Sequence, residues 1–331
     1  MTTTERSTET AVMTSAAAMN SALDVAMAAD DKIILLGEDI AEPTGGVFKV
    51  SKGLSTKYGV ERVRSTPIAE QAIVGTAVGL ALGGYRAVAE IMFFDFIAVC
   101  MDQVVNHAAK FRYMTGGATP TPITVRTVVG SSRFGAQHAQ SLEAWFMHTP
   151  GINVVMPSSP ADAKGLLAAC LESEDPCLYI EHISLAYSKK EEVPTGHYSI
   201  PLGQANVLRP GRDVTLVTYG PQVPVVEQAA EELAAKGIEA EVIDLRTLVP
   251  LDFDTVLSSV ERTRRAVIVH EATQFCGPGA EISSRIHEEL FNELIAPVQR
   301  VGSDYSPVPF SSALSGYPTV AKIVSSVEEL M

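Results

Sequence analysis

Short apolar runs bounded by turn residues alternate with helix-length segments along this chain, and that alternation admits few folds. The runs at 32–37, 85–93, 122–129, 153–157 and 176–181 read as strands buried on both faces. Between them lie helical stretches at about 16–29, 67–83, 97–114 and 161–172. Strand, helix, strand repeated in this way predicts a parallel sheet covered by helices. Periodicity fades from 185 to 210, where prolines stand at 194, 201 and 210. It then restarts, with strands at 214–219, 239–244 and 266–271 and helices at 224–235, 253–263 and 279–291. The expectation is an α/β protein of two domains, each a mainly parallel sheet flanked by helices. Its parts are a disordered tail 1–15, a first domain 16–190, a linker 191–210 and a second domain 211–331.

Within the first domain, one stretch concentrates the chemistry. Thr66 can cap a helix and Pro67 suits a first turn, so a helix is expected from about 67. Gly75, Gly79 and Gly83 recur every four residues and line one face of it with bare backbone. Each glycine in a helix interior costs roughly 0.5–1 kcal/mol, so three in register imply close packing by another segment. Ligands of α/β proteins gather outside the carboxyl ends of strands and at helix starts. Glu70 and Phe96 fall at such places, as do Glu38 and Asp39, although a solvated loop pair explains the latter two equally well. The polar, glycine-bearing segment 130–141 follows a strand in the same way and carries Arg133, Phe134, Gln137 and His138.

Several function classes are disfavoured. A net charge of −14 argues against nucleic acid or an anionic membrane as natural partner. Four cysteines without a Cys-x-x-Cys pair do not make a disulfide framework, and the Thr- and Ser-rich opening has neither the basic start nor the apolar block of a signal peptide. A reducing cytoplasm is expected. His-Glu-x-x-His, a Walker-type loop and Gly-x-Ser-x-Gly are absent. Gly277-Pro278-Gly279 lacks the spacing of a dinucleotide fingerprint. An organic cofactor held near Glu70, Phe96 and His138 is what remains.

Here the chain resembles a known family, the beta subunits of thiamine-diphosphate-dependent 2-oxo acid dehydrogenase complexes, within the transketolase-like group. The likeness rests on Leu35-Leu36-Gly37-Glu38-Asp39, Thr66-Pro67-Ile68-Ala69-Glu70, residues 90–96, Asp102-Gln103-Val104-Val105-Asn106, Ala136-Gln137-His138 and Asp162-Ala163-Lys164-Gly165-Leu166. In the second half it rests on Val242-Ile243-Asp244-Leu245-Arg246-Thr247 and Gly279-Ala280-Glu281-Ile282. It implies a pyrimidine-binding domain followed by a transketolase C-terminal-like domain.

The resemblance also implies roles. Glu70 would bond the cofactor's pyrimidine nitrogen and so promote removal of the thiazolium proton. By its residues alone Glu70 reads equally as a carboxylate placed to satisfy a helix dipole. Phe96 would stack on the pyrimidine with Ile68 as an apolar neighbour, where core packing is the competing reading for both. Glu38 joins them on the cofactor. His138 would assist reductive acyl transfer to a lipoyl group, against a surface loop histidine, and Arg133, Phe134 and Gln137 would shape the substrate loop.

Family diphosphate sites use Gly-Asp-Gly and a downstream Asn to hold magnesium, and this chain has no such motif. The resemblance therefore implies an alpha subunit that holds Mg2+, an α2β2 heterotetramer with the glycine ridge packed between subunits, and docking on a lipoyl acyltransferase core. A structural monovalent cation stays open, because the Glu174-Asp175 neighbourhood departs from the family pattern. The implied activity is oxidative decarboxylation of a 2-oxo acid, pyruvate foremost. Acetoin cleavage and branched-chain substrates are the alternatives, and a non-catalytic scaffold subunit is the reading of another class.

Overall fold

The computed structural model describes residues 9–130, 134–314 and 316–331. The chain forms two compact units. Of the described residues, one comprises 9–130 and 149–202, the other 134–148, 203–314 and 316–331. The segment 134–148 thus belongs with the second unit although the strands before and after it belong to the first.

In the first unit six parallel strands stand side by side in the order Asn153–Val155, Cys177–His182, Ile123–Val129, Arg86–Ile91, Ile33–Glu38 and Val63–Thr66. Residues such as Ile33, Leu35, Val88, Val125 and Ile180 bury both faces, which a parallel sheet under helices requires. Helix Ser15–Ala29 starts where Thr14 Oγ1 accepts from the Ala17 amide, and helix Pro160–Glu172 where Ser159 Oγ accepts from Asp162. The two helices pack on the sheet through a core that includes Met19, Leu23, Leu166 and Leu167. Truncating a fully buried leucine of this kind, Leu23→Ala, costs about 2–5 kcal/mol.

The chain runs from strand Ile33–Glu38 outward to Val63–Thr66, then returns to Arg86–Ile91 on the other side of the first strand. The strand order therefore reverses between Ile33–Glu38 and Arg86–Ile91. A crevice opens at the carboxyl ends wherever connections leave a parallel sheet in opposite directions.

The second unit holds a five-stranded sheet in the order Gln299–Ser303, Ala266–Thr273, Val214–Thr218, Ala240–Asp244 and Asn206–Arg209, antiparallel only at its last strand. Helices Val223–Ala235 and Val320–Glu328 cover it through Val226, Leu233, Ile323 and Val327.

Several expectations need correction. Residues Thr10–Met13 are not tail but a strand, paired antiparallel with Glu191–Pro194, so both the tail and the linker give up residues to a two-stranded ribbon. The rest of the expected linker supplies the edge strand Asn206–Arg209. Val63–Thr66 is a strand and the following helix is Glu70–Leu82, not one from Pro67, because Thr66 Oγ1 donates to the Pro67 carbonyl instead of capping. The stretch expected as a helix from 97 is a 3-10 turn Phe94–Cys100, a π turn Gln103–Ala108 and a short α-helix Ala109–Met114. A Cβ at Gly75 would meet Gln103 at 3.6 Å, an ordinary contact, whereas one at Gly79 would meet nothing, so this chain covers the glycine ridge at Gly75 and leaves it open at Gly79.

Candidate functional site

The crevice of the first unit collects carboxylates. Glu38 ends its strand, and Asp39 directly after it takes a left-handed φ of 54°, which Asp tolerates through local hydrogen bonding. Glu70 is half-buried in the first turn of helix Glu70–Leu82, where the free amides and the helix dipole favour a negative charge. Glu90 is buried in the neighbouring strand, its stem lying where only glycine fits. A Cβ on Gly37 would come within 2.8 Å of Glu90 Cβ. Burial and the nearby charges of Asp39, Glu70 and Glu90 push the Glu38 carboxyl above its ordinary range. Cys100, also buried, is pushed up to about 12 by desolvation and by Glu70. The sequence-predicted residues Glu38 and Glu70 therefore share one acidic patch.

The aromatic side of the same crevice comes from the chain just beyond Arg86–Ile91. Phe96 is half-buried and meets Phe93 edge-on at 6.0 Å, and Phe93 meets Phe48 edge-on at 5.9 Å. Ile68 is 74% exposed, which removes core packing as its explanation.

Sequence reasoning missed the group beneath Glu90. Arg126 is 2% exposed in the middle of strand Ile123–Val129. Its Nη1 donates to Glu90 Oε2 at 2.9 Å, and its Nη2 donates to Glu181 Oε1 on the adjacent strand. One guanidinium thus ties two buried carboxylates across three strands. Burial pushes Glu181 up to about 7 against the opposing pull of Arg126. The available signal was an arginine inside a run that is otherwise apolar or β-branched, since a buried guanidinium must find carboxylates.

The loop residues lie in the second unit. Phe134 and Gln137 are exposed, and His138 is half-buried with its amide donating to Gly135 O at 3.3 Å. Arg133 lies outside the described residues. Just downstream, Glu143 is completely buried and accepts a 2.8 Å hydrogen bond from Tyr219 Oη. Tyr219 stacks at 19° on His270, which burial pushes down to about 4 and keeps neutral. Ser141 Oγ donates to Glu271 Oε1 at 3.2 Å. Of these, Ser141 and Glu271 line a cavity of about 590 Å³, together with Trp145, Phe275 and Tyr305 among others. Among the described residues no three metal-ligating side chains cluster, and no helix is long and apolar enough to cross a membrane.

Comparison with known proteins matches residues 11–187 to the pyrimidine binding domain of transketolase and residues 203–319 to its C-terminal domain. The chain is 46% identical over 326 residues to the beta subunit of acetoin:2,6-dichlorophenolindophenol oxidoreductase from Cupriavidus necator, covering 95% of this chain and 96% of that one. It is 43% identical to the pyruvate dehydrogenase E1 component subunit beta of Staphylococcus epidermidis, covering 92% and 93%. Among solved structures, an inactive beta4 tetramer of a split-gene transketolase superposes with a TM-score of 0.75 at 25% identity, over 97% of this chain and 98% of that one. The chain therefore belongs to the transketolase-like family that joins these two domains, among the beta subunits of the acetoin and pyruvate dehydrogenases.

Proposed function

We propose that this chain is the beta subunit of the decarboxylating component of a 2-oxo acid dehydrogenase complex, dependent on thiamine diphosphate and active together with an alpha subunit. The observation that carries the reading is the acidic grouping of Glu38 and Glu70 at the strand-order reversal of a pyrimidine-binding domain, with the half-buried ring of Phe96 in the turn that follows the neighbouring strand. The residues fit the group. A crowded, partly desolvated carboxylate patch favours a proton on a basic ring nitrogen, and an aromatic ring beside it offers a stacking face. When bound, the cofactor supplies the nucleophilic carbon and the electron sink for loss of CO₂.

In this reading Glu70 shares a proton with the pyrimidine ring nitrogen, and Glu38 reinforces the acidity around it. Phe96 and Ile68 flank the ring and exclude water. His138 donates or accepts a proton during acyl transfer to a lipoyl group, while Gln137, Phe134 and Arg133 shape the substrate loop. The alpha subunit holds the diphosphate and Mg2+. Exposed apolar side chains near the glycine ridge, Leu82 and Tyr85 on its own segment and Val99 nearby, suit burial against that partner in an α2β2 assembly. The assembly docks on a lipoyl acyltransferase core in the cytoplasm.

Pyruvate is the foremost substrate. The 46% identity to an acetoin oxidoreductase subunit favours acetoin as the second reading. Co-purification with the alpha partner and assay of cofactor-dependent dye reduction against pyruvate, acetoin, branched-chain and bulkier 2-oxo acids separates them. Turnover of one substrate assigns the reaction. A stable, cofactor-saturated complex that turns over none of them contradicts the enzyme reading.

A further inference from the structure

We propose that Tyr219, Glu143, Ser141 and Glu271 form a positioning clamp that fixes the His138 loop for acyl transfer to the lipoyl group and is dispensable for decarboxylation. The proposal rests on the role given to His138 above. Its structural basis is separate.

Residues 134–148 belong to the second unit, although the sheet strands that precede and follow them in the chain belong to the first. Their anchors there are specific. Glu143, five residues after His138, is 0% exposed and takes the Tyr219 hydroxyl at 2.8 Å. Ser141, three residues after His138, donates to the buried Glu271. Tyr219 is itself held by the neutral His270 ring, whose Nδ1 donates to Ala272 O at 2.9 Å. Burial together with the Glu143 charge holds the Tyr219 hydroxyl protonated, so it remains the donor across the working pH range. Upstream, Gly135 takes a left-handed φ of 73°, and a side chain there would sit 3.5 Å from Phe310.

A carboxylate and a tyrosine this deeply buried are expensive to place, and a leucine and phenylalanine would fill the space with less desolvation. What the polar pair adds is a single register. The directional bond fixes Glu143, and Glu143 is only five residues along the chain from His138. A general acid or base must lie within hydrogen-bond reach of the atom it serves, so a loop displaced by about 1 Å loses roughly 10- to 100-fold in that step. Loss of CO₂ draws on Glu70 and Phe96 in the other unit and is insensitive to this register.

The test uses the assembled complex carrying Tyr219→Phe, Glu143→Gln or, as the mildest change, Ser141→Ala. Three readouts are taken: dye-coupled decarboxylation, acylation of a lipoylated domain, and amide hydrogen exchange across 134–147. The clamp predicts that acylation falls roughly 10- to 100-fold for Tyr219→Phe and Glu143→Gln, less for Ser141→Ala. Decarboxylation stays within about twofold and exchange across the loop quickens. A parallel fall of both half-reactions, or exchange unchanged in all three variants, overturns the clamp. His138→Ala serves as reference. If it leaves acylation intact while the clamp variants quicken exchange, the role of His138 fails and the clamp survives as a structural device alone.

Discussion

Replacing Arg126 by leucine tests the buried arrangement beneath the candidate site. Arg126 is 2% exposed, and its guanidinium is the partner that Glu90 and Glu181 share. At the 2.9 Å contact with Glu90, Coulomb's law with an effective dielectric of about 20 gives an attraction of about 6 kcal/mol. Dehydrating the guanidinium offsets part of this, and removing one partner from a buried pair costs about 3–5 kcal/mol net. For a unit of this size each kcal/mol shifts the melting temperature by about 2–4 °C, so Arg126→Leu lowers it by roughly 6–20 °C at pH 8. The loss shrinks at pH 6, where the Glu181 carboxyl, pushed up to about 7 in the native protein, is largely neutral and no longer needs a counter-charge. Adding Glu181→Gln recovers part of the loss. Calorimetry of the assembled complex at both pH values measures it. A shift below about 2 °C at pH 8, or one that grows on acidification, refutes the reasoning.

Three further outcomes follow from the same geometry. Glu181 has its folded pKa raised from 4.5 to about 7, so its contribution to stability is full below about 4.5 and lost as pH rises through 7. Glu181→Gln should therefore flatten the stability profile between those limits, as read by urea denaturation. Phe96→Ala should raise the apparent Kd for thiamine diphosphate roughly tenfold in a fluorescence titration of the complex, and unchanged affinity would remove Phe96 from the site. Gly130 takes a φ of +91°, and a Cβ there would lie 1.8 Å from His182 Nε2, so Gly130→Ala should destabilise by roughly 3 kcal/mol or more in thermal melts.

What the sequence made legible was what period and burial encode. Strands such as Ile33–Glu38 and Cys177–His182 open on runs of four apolar residues between turns, and helix Pro160–Glu172 between strands carries an ordinary cap, so the alternation showed through. Val63–Thr66 did not, because an edge strand buries little and its sequence Val-Arg-Ser-Thr reads as loop. The ribbon of Thr10–Met13 with Glu191–Pro194 pairs segments nearly 180 residues apart, and nothing local announces such a contact. The break after Phe94 into 3-10 and π turns replaced a smooth helix because tertiary packing of Phe94, Ile97 and Cys100 outweighs helical propensity.

The candidate site divides along the same line. Glu38, Glu70 and Phe96 stand at strand ends and helix starts, positions that an alternation of elements marks in advance. Arg126 with Glu90 and Glu181, and Tyr219 with Glu143, unite residues that are 36, 55 and 76 positions apart. Such pairs exist only once the sheet has set its register. The attachment of 134–148 to the second unit likewise depends on the hydrogen bonds of Glu143 with Tyr219 and of Ser141 with Glu271, which a single sequence does not display.

In the proposed function, Glu70 drives the thiamine-diphosphate chemistry of this chain. The direct measurement is cofactor-dependent dye reduction by the complex with its alpha partner, comparing wild type with Glu70→Gln at saturating thiamine diphosphate. Loss of a general acid/base predicts a fall of about 10² to 10⁴ in rate with the complex still assembled. A Glu70→Gln complex that retains full turnover would contradict the account.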